Sequence, residues 1–166
     1  MEETAARIVP NILSLAGVDP SGGAGLLADI KTISALGGYA CGAVTALTVQ
    51  NTRGVSGGRI MSGDFVSAQM ESVLSDIRID AVKIGMLGNC EVIEAAAGIL
   101  RDHPVKHVVL DTILASTSGT PLLEPEAVGV LIRKLLPLCT VFTPNLPEAA
   151  ILLGDETPAD EGGMEN

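Results

Sequence analysis

Residues 14–29 read "SLAGVDPSGGAGLLAD". An apolar run enters a proline and four glycines, then leaves through Leu26, Leu27, Ile30 and Ile33, spaced as one face of a helix. Glycine in such a strand-to-helix turn lets the backbone come close to another group. What the turn approaches is the functional question; that a strand passes into a helix is the architectural one.

The pattern repeats downstream. The segment 7–17 reads as the first strand, and Gly37-Gly38 stops the first helix. "ACGAVTALTV" (40–49) is β-branched enough for a buried strand, and Val66, Met70, Val73, Leu74 and Ile77 trace a helix face. "DAVKIGML" (80–87) is a third strand, after which Asn89 is placed to cap a helix carrying Val92, Ile93, Ala96, Ala97 and Leu100. "VKHVVLD" (105–111) is a fourth strand, and Pro125 suits the first turn of a helix running through Leu136. "CTVFTPN" (139–145) and "LPEAAILLG" (146–154) form the last strand and helix. These strands are apolar runs without alternation, so both of their faces are buried. The expected fold is α/β: a doubly wound, mainly parallel sheet with helices on both faces. Residues 1–166 read as a single domain, with 155–166 a polar tail.

Composition removes several partners. Of the 166 residues, 47% are hydrophobic and 18% charged, a globular balance able to bury a core. A net charge of -10 repels a phosphate backbone, and 2% aromatics supply no base-stacking platform, so nucleic acid is excluded. Anionic membrane surfaces are disfavoured by the same charge, and no apolar run approaches the roughly 20 residues of a span. The acidic start "MEETAARIVPN" lacks signal-peptide character. Cys41, Cys90 and Cys139 are odd in number without CxxC spacing, which suits a reduced, cytoplasmic chain. His103 and His107 have no neighbouring Cys or His to complete a zinc site.

The glycine turn matches neither common phosphate motif. Gly17 and Gly22 have Walker A spacing, but Gly23 stands where the lysine belongs. Gly23, Gly25 and Ala28 fit a dinucleotide fingerprint loosely, and the region about 20 residues on, "VTALTVQN", lacks the acidic ribose ligand. A plain turn therefore stays open as a reading of the loop alone. In open parallel sheets, however, ligands bind beyond the carboxyl ends of the strands. There lie Gly17 to Gly25, Gln50-Asn51-Thr52, Gly85-Met86, Asp111 and Asn145 to Glu148.

Five blocks in order are similar to one family. "AGVDPSGGAGLLADIKTISALGGY", "TALTVQNTRGV", "DAVKIGML", "VVLDTILASTSGTPLL" and "TPNLPEAAILLG", together covering Asn11 to Gly154, resemble the hydroxymethylpyrimidine/phosphomethylpyrimidine kinases of thiamine biosynthesis, in the ribokinase-like superfamily. The resemblance implies phosphoryl transfer from ATP to 4-amino-5-hydroxymethyl-2-methylpyrimidine and to its monophosphate, with Mg²⁺, in a homodimer. By position it implies that Gly17, Ala24 and Asp29 wall the pyrimidine, that Gln50 reads its polar edge, and that Met86 and Ile113 cover the ring. It places Asp111 and Glu148 at Mg²⁺ and Asn145 with Glu148 at the nucleotide phosphates. Two of these have ordinary structural readings as well: Met86 as core, and Asp29 as a first-turn carboxylate favouring its helix dipole.

The chain departs from the family pattern in two places. Thr117 stands where relatives commonly carry a lysine. The sequence also stops at Asn166, where relatives continue. The resemblance puts the anion hole and the catalytic base beyond Asn166, so no catalytic residue is assigned within 1–166. The expectation is a C-terminally truncated chain without activity by itself. The rival readings are a pyridoxal kinase of the same superfamily and a non-catalytic pyrimidine-binding module.

Overall fold

The computed structural model describes residues 9–114 and 122–154; Thr117 and the tail from Asp155 to Asn166 lie outside them. In chain order the elements are β1 (Asn11–Val18), α1 (Gly25–Ala35), β2 (Tyr39–Asn51), β3 (Gly54–Ile60), α2 (Gly63–Leu74), β4 (Ala81–Ile84), α3 (Cys90–Asp102), β5 (His107–Leu110), α4 (Pro125–Val130), β6 (Val141–Phe142) and α5 (Leu146–Leu153). The sheet has six strands in the order β3-β2-β1-β4-β5-β6. All neighbours run parallel except β3, which returns antiparallel along β2.

Register explains why the strands are apolar throughout. Leu13 lies level with Cys41 and Val82, and Val82 with Val108; one step on, Leu15 is level with Ala43 and Ile84, and Ile84 with Leu110. These rows share one face, where Val66 and Met70 of α2 and Val92, Ile93, Ala96 and Ala97 of α3 pack over them. Leu13, Leu15, Ile84, Leu110 and Met70 are fully buried, each contributing about 1.5–3 kcal/mol relative to exposure. Burial also pushes the Cys139 thiol up to about 11 and raises that of Cys41, which disfavours the thiolate at both. The opposite face is covered by α1, which packs on β1 and β2. Helices therefore flank both faces.

The helix boundaries follow local chemistry. Asn89 caps α3 by accepting from the Val92 N–H at 3.0 Å. Pro125 opens α4, as its missing N–H permits. The expected continuous α-helix to Leu136 is instead α only to Val130, followed by a π turn over Leu131–Leu135 and a 3₁₀ turn over Leu136–Leu138. Pro137 has no N–H to continue an α ladder there. The expected five repeats are likewise corrected by β3. "GVSGGRI" lacks an apolar run, and it pairs with β2 through the two-residue turn Thr52-Arg53.

An irregularity shapes the second half of β2. Thr45 is an extra residue where the β1–β2 register shifts between Ala16 and Gly17. The Val44 backbone, just before the first β2–β3 pair (Ala46 with Ile60), is paired by the Gln69 side chain of α2, whose Oε1 accepts from the Val44 N–H at 2.9 Å and whose Nε2 donates to its carbonyl at 3.0 Å. Thr45 itself donates to the Met86 carbonyl at 2.6 Å. A sequence-distant strand end is thereby tied to β2.

Candidate active site

The loop between β1 and α1 is organised by Asp19. Its carboxylate accepts from the Ser21 N–H at 2.8 Å, the Ser21 hydroxyl at 2.9 Å, the Ala24 N–H at 3.0 Å and the Gly23 N–H at 3.1 Å. Ala24, the residue before α1, supplies no side-chain cap, so Asp19 satisfies its exposed N–H from a distance. Burial opposes ionisation and is the largest single influence, yet the hydrogen bonds from Ser21, Ala24 and Gly23 outweigh it. Asp19 is held below the usual carboxylate value. Gly25 closes the turn at φ +58°, and a Cβ there would stand 2.2 Å from the Gly17 carbonyl oxygen. Only glycine fits.

At the carboxyl edge of the sheet, Gly17, Asp19, Ala24, Thr48, Gln50, Val55, Met86, Ile113, Leu122 and Glu148 line one cavity of about 270 Å³. Gly17 keeps room for Met86: a Cβ on Gly17 would meet the Met86 sulfur at 3.1 Å. Of the sequence-predicted site residues, the cavity thus brings together Gly17, Ala24, Gln50, Met86, Ile113 and Glu148. A larger hollow of about 500 Å³, bounded by the β2–β3 hairpin and Leu122–Pro125, shares the wall of Thr48, Val55, Met86 and Leu122.

Asp29, Asp111 and Asn145 do not line that cavity. Asp29 reaches down onto the α1 face of the sheet, where it accepts from the buried Ser14 hydroxyl at 2.7 Å and pairs with Lys83 at 3.1 Å. The same Lys83 ammonium is 3.7 Å from Asp111. Lys83 therefore links the two carboxylates that the sequence reading assigned to opposite ends of the site. Asn145 accepts from the Glu148 N–H at 2.9 Å, and Glu148 Oε2 accepts from the Asn145 N–H at 2.9 Å, a reciprocal cap for α5. Glu148 also accepts from the Thr112 hydroxyl at 3.3 Å and, through Oε1, from the Leu114 N–H at 3.5 Å. Both of its oxygens are engaged. Among the described residues, no three His, Cys, Asp or Glu side chains converge as a metal site. The anion hole and catalytic base expected beyond Asn166 fall outside the described residues, which end at Gly154. No catalytic base is assigned among the residues that line the cavity.

Sequence reasoning assigned no role to Asp19, Thr48 or Lys83. Asp19 carried a legible signal, since Asp-Pro-Ser-Gly favours a turn in which the Asp side chain binds backbone ahead of it. Lys83 carried another, as the single charge inside the apolar run of β4. Thr48 had none, being one β-branched residue among several.

The profile of the phosphomethylpyrimidine kinase family matches residues 19–166. The chain belongs to that family. A hydroxymethylpyrimidine/phosphomethylpyrimidine kinase of Escherichia coli (strain K12) is 54% identical over 143 residues, which cover 86% of this chain and 54% of that protein. The Rhizobium meliloti (strain 1021) protein of the same name is 51% identical over 152 residues, covering 92% and 57%. The chain thus spans about half the length of the curated phosphomethylpyrimidine kinases it matches. Among solved structures, a phosphomethylpyrimidine kinase from Clostridium difficile 630 has a TM-score of 0.85 at 41% identity, covering 93% of this chain and 67% of that one. A pyridoxal kinase from Staphylococcus aureus in complex with ADP has a TM-score of 0.83 at 33% identity, covering 95% and 57%. The mainly parallel sheet is that of the ribokinase-like kinases. No helix among the described residues is long and apolar enough to cross a membrane.

Proposed function

We propose that the protein takes part in ATP-dependent phosphorylation of 4-amino-5-hydroxymethyl-2-methylpyrimidine and of its monophosphate. One observation carries the reading: a cavity sized for a single small ring, with an amide at Gln50, a thioether at Met86 and small residues at Gly17 and Ala24. An amide offers a donor beside an acceptor, which suits the amino group and adjacent ring nitrogen of the substrate. Met86 packs its polarizable sulfur on the ring face, and Ile113 excludes water from the other wall. Closing the backbone of the glycine loop around the ring holds the hydroxymethyl oxygen in one place, and positioning is most of what phosphoryl transfer requires of a protein.

The donor chemistry near the end of β5 fits Mg²⁺, which takes one or two carboxylates and keeps several waters. Asp111, with a side chain 43% exposed, would bind it directly, while Glu148, its oxygens already engaged, would act through water. When bound, the ion supplies charge neutralisation at the phosphate oxygens of ATP. Asp29 enters this reading as the residue that fixes α1 to β4 through Lys83, with no contact to the ring. Asn145 holds Glu148 in place. A cytoplasmic setting belongs to the same reading, supported by the free thiols Cys41, Cys90 and Cys139. So does a homodimer, which rests on the family resemblance.

Pyridoxal kinase is the rival, and the higher identity of the pyrimidine kinases favours the first reading. Calorimetric titration tests it. The pyrimidine is expected to bind more tightly than pyridoxal, and Gln50→Ala to weaken pyrimidine binding by about 1–3 kcal/mol, the cost of leaving a polar edge unpaired, while leaving ATP binding unchanged. Tighter binding of pyridoxal, or equal loss of both ligands in the variant, overturns the assignment.

A further inference from the structure

Thr48 and Gln50, two apart on β2, point to the same face and line the same cavity. The Thr48 hydroxyl lies 2.9 Å from the Val18 carbonyl oxygen and 3.2 Å from the Gln50 amide oxygen, Oε1. A hydroxyl has one proton to give and can also accept. The Val18 carbonyl can only accept, and it is the nearer partner, so it takes the proton. What remains toward Gln50 is a lone pair. Amide oxygen and nitrogen have nearly the same shape and are told apart by their partners. Oε1 in that place sets two acceptors against each other, so the partners favour the amide turned about, with its NH₂ toward Thr48.

We propose that Thr48 is a specificity-determining positioning residue: its hydroxyl, committed as a donor to Val18, accepts from Gln50 Nε2 and turns Gln50 Oε1 toward the cavity. The inference rests on the pyrimidine reading above. Gln50 then presents an acceptor and, beside it, its second N–H. That order matches an exocyclic amino group next to an unprotonated ring nitrogen. A ring with an oxo group in place of the amino group carries the reverse order, an acceptor next to a ring N–H. To bind it in the same pose, the amide must flip and set its oxygen against the Thr48 lone pair. Thr48 thereby selects amino over oxo without touching the ring.

The test compares two ligands, 4-amino-5-hydroxymethyl-2-methylpyrimidine and its 4-oxo analogue, by calorimetry on the wild-type protein and on Thr48→Val and Thr48→Ser. Wild type is expected to prefer the amino ring. Thr48→Val, free to flip its amide, should narrow the amino-to-oxo affinity ratio about tenfold, the scale of one frustrated buried hydrogen bond. Thr48→Ser, which keeps the hydroxyl, should restore the wild-type ratio. A merely structural role would weaken both rings alike and leave the ratio unmoved. An unchanged ratio in Thr48→Val, with wild type still selective, overturns the inference and leaves the pyrimidine reading standing. Failure of wild type to bind either ring overturns the reading, and the inference with it.

Discussion

Asp19 holds the glycine loop by accepting four hydrogen bonds within five residues of itself. Its lowered pKa fixes the sign of a stability effect. The folded state prefers the carboxylate more than the unfolded chain does, whose value is about 3.9. This stabilisation is complete above that value and is lost as pH falls through the lowered folded one. Asp19→Asn keeps one acceptor but turns an NH₂ toward backbone donors, so it should cost about 1–3 kcal/mol at neutral pH. The gap between wild type and variant should close below about pH 4. Urea unfolding at stepped pH measures it, and a gap that stays constant with pH contradicts the role. The sequence showed the residue types at this rim but not their pairings. Gly17, Ala24, Gln50, Met86, Ile113 and Glu148 were named through the family resemblance, and all six line one cavity. Asp29 and Asp111 lie outside the cavity, and both face Lys83, a residue of β4 that no local pattern links to either.

At the scale of elements, the parallel strands were legible because burial on two faces leaves an apolar run, and the caps were legible because Asn89 and Pro125 act within one turn. Strand β3 was not. It has three glycines and a serine in seven residues, and only pairing with the long β2 makes it a strand. The bulge at Thr45 was hidden for the same reason, since register belongs to a pair of strands and not to one. Gln69 lies beside the bulge, pairing the Val44 backbone where β3 does not reach. Replacing it with Leu leaves the Val44 N–H and carbonyl without partners, at about 1–3 kcal/mol for each group that stays buried. Gln69→Glu should fall between, because a carboxylate accepts from the N–H but gives nothing to the carbonyl. Hydrogen exchange at the Val44 amide reads this directly. Protection is expected to drop sharply in the Leu variant, and unchanged protection would show that Gln69 does not hold the Val44 backbone.

Across the whole molecule, the sheet order brings the ends of β2, β1, β4 and β5 side by side, and α5 returns Glu148 to the same edge. One cavity results from segments as distant in sequence as Gly17 and Glu148. The family supplies a chemistry for it, and the residues supply a shape and a polar edge that suit an aminopyrimidine. Amide and methyl NMR during titration with 4-amino-5-hydroxymethyl-2-methylpyrimidine tests that match most directly. Saturable shifts are predicted at Gly17, Ala24, Gly25, Gln50, Met86 and Ile113, with α3 on the far face unmoved. Shifts confined to Gly57, Gly58 and Arg59 around the neighbouring hollow, or no saturable shifts at any of these residues, would contradict it.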